Sequence, residues 1–304
     1  MPELPEVETI RRGLSKTVVG RVIKSVAVLL PKMISLGPAT VSNLRKNDHG
    51  KAAKFAALIA GQKIVSVRRR AKMLLLDLSG PHTLLVHLKM TGQFIFAKSR
   101  ERKIMKIFNV VGSRRLLLPH QYTWVIFRFR DGSSLYYNDL RQFGYLRLVP
   151  DEDVPRVPEL RDYGPEPLSA GFTFEYFSAR AKSRPRLSVK LFLMDPTIVA
   201  GIGNIYSDEI LYCAGIRPGR RMQSLAISQS KKLFSCIPKV LREALRHHGS
   251  SVGDYFQVDG AEGTYGRLHR VYGRGGESCW RCQSVIKTVK LGGRTGSFCP
   301  KCQK

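Results

Sequence analysis

The chain has 304 residues, 43% of them hydrophobic, and 51 Lys and Arg against 23 Asp and Glu, a formal charge of +28. That length is enough for two domain cores, and that apolar content excludes a disordered chain. So large a positive excess opposes compaction unless a polyanion uses it. With no apolar run of membrane-spanning length and no basic-then-apolar leader, the expected partner is nucleic acid and the expected setting cytoplasmic.

The first element in chain order is a helix over about residues 6–19, with Val7, Ile10 and Leu14 on one side. Short strands follow at 22–30, 63–69, 73–78, 83–88 and 93–97. The runs 124–129 and 135–137 flank Asp131-Gly132, a hairpin signal. Many short strands with turn signals predict a sandwich or barrel. Residues 98–121 are basic with little alternation and read as a long mobile loop.

Charge divides the chain. Residues 1–150 hold 27 basic and 8 acidic residues, +19. The stretch 151–167 holds two basic and six acidic residues and four prolines, and reads as an extended linker. Residues 168–304 return to +13, with 22 basic and 9 acidic residues. The C-terminal body is helical, at about 172–181, 187–194, 204–213 and 228–247. The glycines of Gly201-Ile202-Gly203-Asn204 precede a helix whose N-terminal amides suit a phosphate.

Cys279-x2-Cys282 and Cys299-x2-Cys302, sixteen residues apart, place four thiolates around Zn²⁺. With no open ligand position the ion is structural, and it holds a hairpin carrying Lys287, Lys290 and Arg294. Cys213 and Cys236 lie in apolar helical contexts and need no bridge.

The chain opens Met1-Pro2-Glu3. Removal of Met1 leaves Pro2 as a secondary amine, and an α-amino group titrates near pH ~8, so a useful fraction is unprotonated at neutrality. Such an amine condenses with an aldehydic carbon, and Glu3 is placed to deliver a proton. On these residues alone, a proline at a helix start with glutamates favouring the dipole is the simpler reading.

Taken together, Pro2–Glu8, Arg69-Arg70-Ala71-Lys72, His87–Gly92, Arg141-Gln142-Phe143-Gly144, Gly164–Leu168, Gly201–Tyr206, Val271–Arg274 and the four cysteines resemble the bacterial formamidopyrimidine-DNA glycosylases over nearly the whole chain. The resemblance implies an α+β protein: an N-terminal β-sandwich with flanking helices (1–150), a linker (151–168), a helix–two-turn–helix DNA-binding domain (169–260), and a lesion-covering loop end with a four-cysteine zinc finger (261–304). It implies a monomer that holds double-stranded DNA with an oxidised base or abasic site between two basic bodies. Pro2 would be the Schiff-base nucleophile, Glu3 the acid that protonates the opening sugar, Lys72 the lysine of base release and β-elimination, and Arg294 a phosphate contact and δ-elimination proton donor. The target base must be flipped out of the duplex. Met90, Arg141 and Phe143 match the family's inserted triad, an apolar wedge with an arginine for the orphaned base. Without the family, Met90 and Phe143 would read as core. Lys190 and Asn204 match phosphate contacts, though alone they would read as a solvated charge and a helix cap.

The chain departs from the family at several points. Leu140 and Gln142 flank the wedge arginine where Pro and Arg are frequent, and Pro196 occupies a polar turn position. Tyr122 and Trp124 stand where histidines are frequent; Tyr122 is the candidate DNA contact there, and His120 is out of register. The loop 259–267 carries Tyr265 in an aromatic position, and 31–60 and 98–121 are insertions. The expected activity is a glycosylase/lyase for oxidised purines such as 8-oxoguanine and formamidopyrimidines. A pyrimidine-directed relative is disfavoured by Leu4 where such enzymes have Gly, and a catalytically silent DNA-binding module by the intact Pro2, Glu3 and Lys72.

Overall fold

The computed structural model describes residues 1–38, 46–99, 104–107, 114–253 and 255–304, with backbone alone at 104–107 and 114–116. The elements divide into two compact units, residues 1–2, 6–161 and 248–263 in one and residues 3–5, 162–247 and 264–304 in the other.

The first unit is a sandwich of two sheets. One runs β1 (Ile23–Val28), β9 (Thr123–Phe129), β10 (Ser134–Asp139), β6 (Gly92–Ala97). The other runs β2 (Ile34–Leu36), β11 (Tyr145–Pro150), β5 (His82–His87), β4 (Met73–Leu78), β3 (Ile64–Arg70). All pairs are antiparallel except β2 with β11. The hairpin expected around Asp131-Gly132 is β9–β10. Helix α1 (Leu4–Thr17) sends Val7, Ile10 and Leu14 into the core, and α2 (His49–Ile59) adds Phe55 and Ile59. Helix α2 gives structure to the 31–60 insertion. Asp48 caps it by accepting from the Lys51 amide at 2.8 Å.

Strand β4 is almost wholly apolar because both its faces are covered. Leu74 and Leu76 enter the core between the sheets, while Met73 and Leu75 point outward to a second cluster with Val149, Val154, Val157 and Leu160. That cover corrects the linker expectation. Residues 151–156 form a 3-10 helix and α3 (Pro158–Arg161) follows, both packed on the sheet. One of their acids, Glu159, serves Arg147, fully buried on β11, whose guanidinium donates to it at 3.0 and 3.3 Å, and Asp151 accepts from the Thr83 hydroxyl of β5 at 2.7 Å. Two further expectations change. Within 98–121, β7 (Ile104–Ile107) pairs with β8 (Arg114–Leu117), so this stretch is not loop throughout, and residues 100–103 and 108–113 lie outside the described ones. Residues 248–263, placed by sequence with the helical domain or the covering loop, join the sandwich. Tyr255 and Val258 are in its core, the Phe96 amide donates to the Val258 carbonyl at 2.9 Å, and the Ser250 amide donates to Glu6 at 2.8 Å. Gly13 makes room, since a Cβ there would lie 3.0 Å from Val258.

The second unit is built on α4 (Phe174–Ser183), α5 (Val189–Met194), α6 (Asn204–Ala214) and α7 (Ile227–Arg246). Thr173 and Ser188 cap α4 and α5, and Gly215 in the left-handed conformation ends α6. Pro196 fits its turn: the Ile198 amide donates to the Asp195 carbonyl at 3.0 Å, which puts proline at the second position of a β-turn. Tyr265 is buried in the helical core. Cys213 and Cys236, expected to stay unbridged, form a disulfide, because the packing of α6 on α7 brings their Cα atoms to 5.9 Å. Strands β12 (Lys287–Leu291) and β13 (Arg294–Phe298) form the terminal hairpin. Among the described residues, no helix is long and apolar enough to cross a membrane.

Arg147 cannot reach solvent, so Glu159→Ala is expected to destabilise the protein by about 2–3 kcal/mol. That lies at or below the low end for breaking a buried pair, because Glu159 keeps 21% exposure. Urea denaturation followed by circular dichroism measures it.

Candidate active site and nucleic-acid interface

Glu3 is 2% exposed, and the start of α6 surrounds its carboxyl group. Oε2 accepts from the Gly203 amide at 2.7 Å and the Tyr206 amide at 3.4 Å, and Oε1 accepts from the Ile205 amide at 2.9 Å. These are first-turn N–H groups with no partner inside the helix, at the positive end of its dipole. The glycines make the approach possible. Gly201 has φ +88°, and its carbonyl accepts the Leu4 amide at 3.1 Å. A Cβ on Gly203 would collide with the Glu3 carboxyl. The amides expected to bind phosphate are therefore used by the chain's own glutamate, one residue from a buried Pro2.

Lys190 is also corrected. It is not a solvated charge, and its ammonium is spent inside the protein. It is fully buried, donating to Asp208 at 2.6 Å and Ser207 Oγ at 3.0 Å. Burial lowers its pKa against the opposing pull of Asp208 and Glu3, and the nearby Arg294 lowers it further. Burial raises the Asp208 carboxyl to about 6. Asp208 also accepts the Ser297 amide of β13 at 2.8 Å, which fastens the hairpin to α6. Arg294 is exposed at the start of β13. Asn204 begins α6; its side chain bonds the Tyr272 hydroxyl, and among the described residues its buried Oδ1 has no hydrogen-bond partner. The second unit thus brings Glu3, Lys190, Asn204 and Arg294 into one electrostatic neighbourhood.

In the sandwich, Lys72 sits in the turn between β3 and β4, beside Ala71 at φ +53°. Arg69 shapes this turn, donating to the Ala71 carbonyl at 2.8 Å and to Glu8 at 3.1 Å. His87 is buried. Desolvation, reinforced by Lys89 and Lys72, holds its pKa well below 6.5, and its Nδ1 accepts the Lys89 amide at 3.0 Å. Met90 and Phe143 are each 40% exposed, which removes the core-packing alternative for both. Arg141 is exposed, with its guanidinium 4.9 Å from the Phe143 ring centre. Tyr122 is half-buried, and its carbonyl accepts the Asp139 amide at 3.0 Å. Trp124 packs against the core and donates to the Asp139 carbonyl at 2.6 Å. Burial lowers His120 to about 4.

The four cysteine sulfurs lie within 4.8 Å of one another, with separations of 3.9 Å (Cys279–Cys302) and 3.4 Å (Cys282–Cys299). A tetrahedron with metal–sulfur bonds of about 2.3 Å has edges of about 3.8 Å, so the donor set fits one ion with no open position. Arg270 and Arg274 flank the Trp280 ring at 5.3 and 4.0 Å.

Sequence reasoning missed the buried acids Asp139, Asp208 and Glu209. Glu209 gathers the amides of Arg270, Val271 and Tyr272 at 2.9–3.1 Å. The available signal was their position: Asp208 and Glu209 lie inside an otherwise apolar helix, and Asp139 precedes a tight turn ending in Gly144.

Burial holds both His120 and His269 at about 4, below the ~6.5 of an unfolded chain. The unfolded state therefore binds more protons between these values, and stability is lost as pH falls through the window. The melting temperature is expected to be flat above pH ~6.5 and to decline below it. Paired His120→Gln and His269→Gln replacements should reduce the decline in calorimetry, and the part that remains is owed to buried His87, whose pKa is also held below 6.5.

Two family models match the chain, the formamidopyrimidine-DNA glycosylase N-terminal domain over residues 1–146 and its H2TH domain over residues 163–255. The chain is 38% identical over 305 residues to the formamidopyrimidine-DNA glycosylase of Heliobacterium modesticaldum and 37% identical over 304 residues to that of Carboxydothermus hydrogenoformans, with full coverage of every chain. Among solved structures it resembles Lactococcus lactis Fpg in complex with abasic-site DNA, with a TM-score of 0.83 and 29% identity over the whole of both chains. The same Lactococcus protein is also solved with DNA containing an oxidised pyrimidine, with a TM-score of 0.82. With both domain models in order and full-length relatives at this identity, the chain belongs to the bacterial formamidopyrimidine-DNA glycosylase family.

Proposed function

We propose that this protein is a base-excision-repair DNA glycosylase with abasic-site lyase activity, acting on oxidised purines in duplex DNA. The observation that carries the reading is the seating of Glu3 on the α6 amides directly beside Pro2. A carboxyl group needed only to start a helix has no reason to be held by the amides of a second, distant helix.

Removal of Met1 exposes the Pro2 nitrogen, which attacks C1′ of the flipped nucleotide. The C1′–base bond breaks and the base leaves with a proton, a departure assisted by Lys72. Glu3 protonates O4′ as the sugar ring opens, leaving an iminium between Pro2 and C1′. Loss of a C2′ proton expels the 3′ phosphate, and a second elimination, with Arg294 at the phosphate, expels the 5′ phosphate. Water then hydrolyses the iminium, breaking the Pro2–C1′ bond and returning the free amine, so the products are a one-nucleotide gap with phosphates at both ends and a sugar fragment released as its aldehyde. Met90 and Phe143 fill the vacated stack, Arg141 faces the orphaned base, and Asn204 and Tyr122 contact the backbone. Lys190 reaches a phosphate only through Asn204 and Arg294, whose surroundings it shapes.

Cys279, Cys282, Cys299 and Cys302 would hold one Zn²⁺ with a structural task, keeping Arg294 on a stiff hairpin. Plasma emission spectrometry is expected to find one zinc per chain, and chelation in denaturant should abolish refolded DNA binding.

A pyrimidine-directed activity is the second reading, favoured by the Lactococcus relative's complex with oxidised-pyrimidine DNA. Borohydride trapping on duplexes with 8-oxoguanine opposite cytosine, or with an oxidised pyrimidine, separates the two. A purine adduct abolished by Pro2→Gly supports the first reading, and an adduct with the pyrimidine alone supports the second. No adduct with either lesion or with an abasic site, or a mature chain retaining Met1 by mass spectrometry, leaves a binding module. Gly203→Ala, which displaces the Glu3 carboxyl, is expected to lower excision at least about 100-fold. Binding of undamaged duplex should change little in fluorescence anisotropy.

A further inference from the structure

Met90 lies on the turn from β5 to β6, and Arg141 and Phe143 lie on the turn from β10 to β11. What joins these turns is Asp139, fully buried at the end of β10. Its Oδ1 accepts from the Thr91 hydroxyl and from the Arg141 amide at 3.2 Å, and the same amide donates to Thr91 Oγ1 at 2.9 Å. Its Oδ2 accepts the Gly144 amide at 2.7 Å. Its backbone is equally engaged, with the amide donating to Tyr122 and the carbonyl accepting Trp124 Nε1. Gly144 has to lack a side chain, because a Cβ there would collide with the Tyr137 hydroxyl. Every polar atom of Asp139 is therefore bound, yet the three side chains this base supports are exposed.

We propose that Asp139, acting with Thr91, is a positioning residue that locks Met90, Arg141 and Phe143 into one preformed wedge. The inference rests on the proposed reading of these three as the groups that replace a flipped nucleotide. Opening a duplex is unfavourable, and insertion compensates only if the inserted loops need no ordering at that moment. A buried carboxylate holding both loops removes that ordering step, so Asp139 acts on lesion engagement in duplex DNA and not on the chemistry at Pro2.

Asp139→Asn tests this. The amide keeps the shape, but an NH2 in the Oδ2 position leaves the Gly144 N–H without its acceptor, and an NH2 in the Oδ1 position leaves the Thr91 hydroxyl without its acceptor and the Arg141 N–H with Thr91 Oγ1 alone, so one link is lost whichever way it turns. Thr91→Val removes the hydroxyl link with less risk to folding, and Thr91→Ser restores it. Melting temperature is measured for each variant. Excision from duplex DNA, fluorescence of 2-aminopurine next to the lesion, and borohydride trapping on a single-stranded abasic oligonucleotide are then compared. The single strand needs Pro2 and Glu3 but no helix opening. The expected result is a fall of about 30-fold or more in duplex excision and a delayed 2-aminopurine rise for Asp139→Asn and Thr91→Val. Single-strand trapping should stay within about twofold of wild type, and Thr91→Ser should recover the duplex rate. Parallel loss on both substrates, or an unchanged duplex rate in folded Thr91→Val, overturns the inference. A wild-type protein that traps neither substrate overturns the proposed function, and the inference with it.

Discussion

The constraint on which the rest depends is the contact between one carboxyl group and one helix start. Glu3 satisfies the Gly203, Ile205 and Tyr206 amides, and α6 would otherwise begin with unpaired donors in a buried place. Pro2 is covalently next to this anchored residue. Two glycines are required, Gly201 for its positive φ and Gly203 for its missing Cβ. A single anchoring interaction thus serves folding and, in the proposed reading, catalysis.

Helix α6 extends this logic along its length. Asp208 pairs with Lys190 and receives the Ser297 amide, while Glu209 receives the amides of the segment leading into the cysteine hairpin. Burying such acids is unfavourable unless each oxygen is bound, and here each acid is. The hairpin is therefore tied to the helical unit by two carboxylates as well as by the packing of Tyr212 with Cys279 and Cys299. Arg294 owes its location to these ties, since it opens the strand that Asp208 holds.

The sandwich uses the same device at Arg147 and Asp139. Arg147 holds Glu159 of the segment after β11, and Asp139 unites two turns. A highly basic chain can bury a few charges only by spending its scarce acids on them. Five acids among the described residues, Glu3, Glu6, Asp139, Asp208 and Glu209, are accordingly buried at structural joints, while others such as Glu152, Asp259 and Glu277 are exposed.

Much of this was legible in the residues. Helix α1, the four helices of the second unit, most of the sandwich strands and the β9–β10 hairpin followed from apolar periodicity and turn chemistry, because those are local properties, whereas β2, β11, α2 and α3 were not read. The Cys-x2-Cys pairs announced their cluster through spacing alone, and the ordered motifs announced the family. What sequence could not decide was which charged groups are buried, since burial depends on partners far apart in the chain. Lys190 and the phosphate-suited α6 amides were both misread for that reason. The acidic segment 151–161 looked like a linker because its partner, Arg147, is hidden in a strand. Residues 248–263 were assigned to the helical domain and the covering loop because their core contacts, from Tyr255 and Val258, lie with strands more than a hundred residues earlier. Cys213 and Cys236 looked inert because only helix packing brings them together. Local order and chemical identity were set by the chain's own pattern. The pairing of buried charges, and hence the setting of Glu3, Arg294 and the turns that carry Met90, Arg141 and Phe143, was decided only by tertiary structure, because desolvation is felt only once distant segments close around a group.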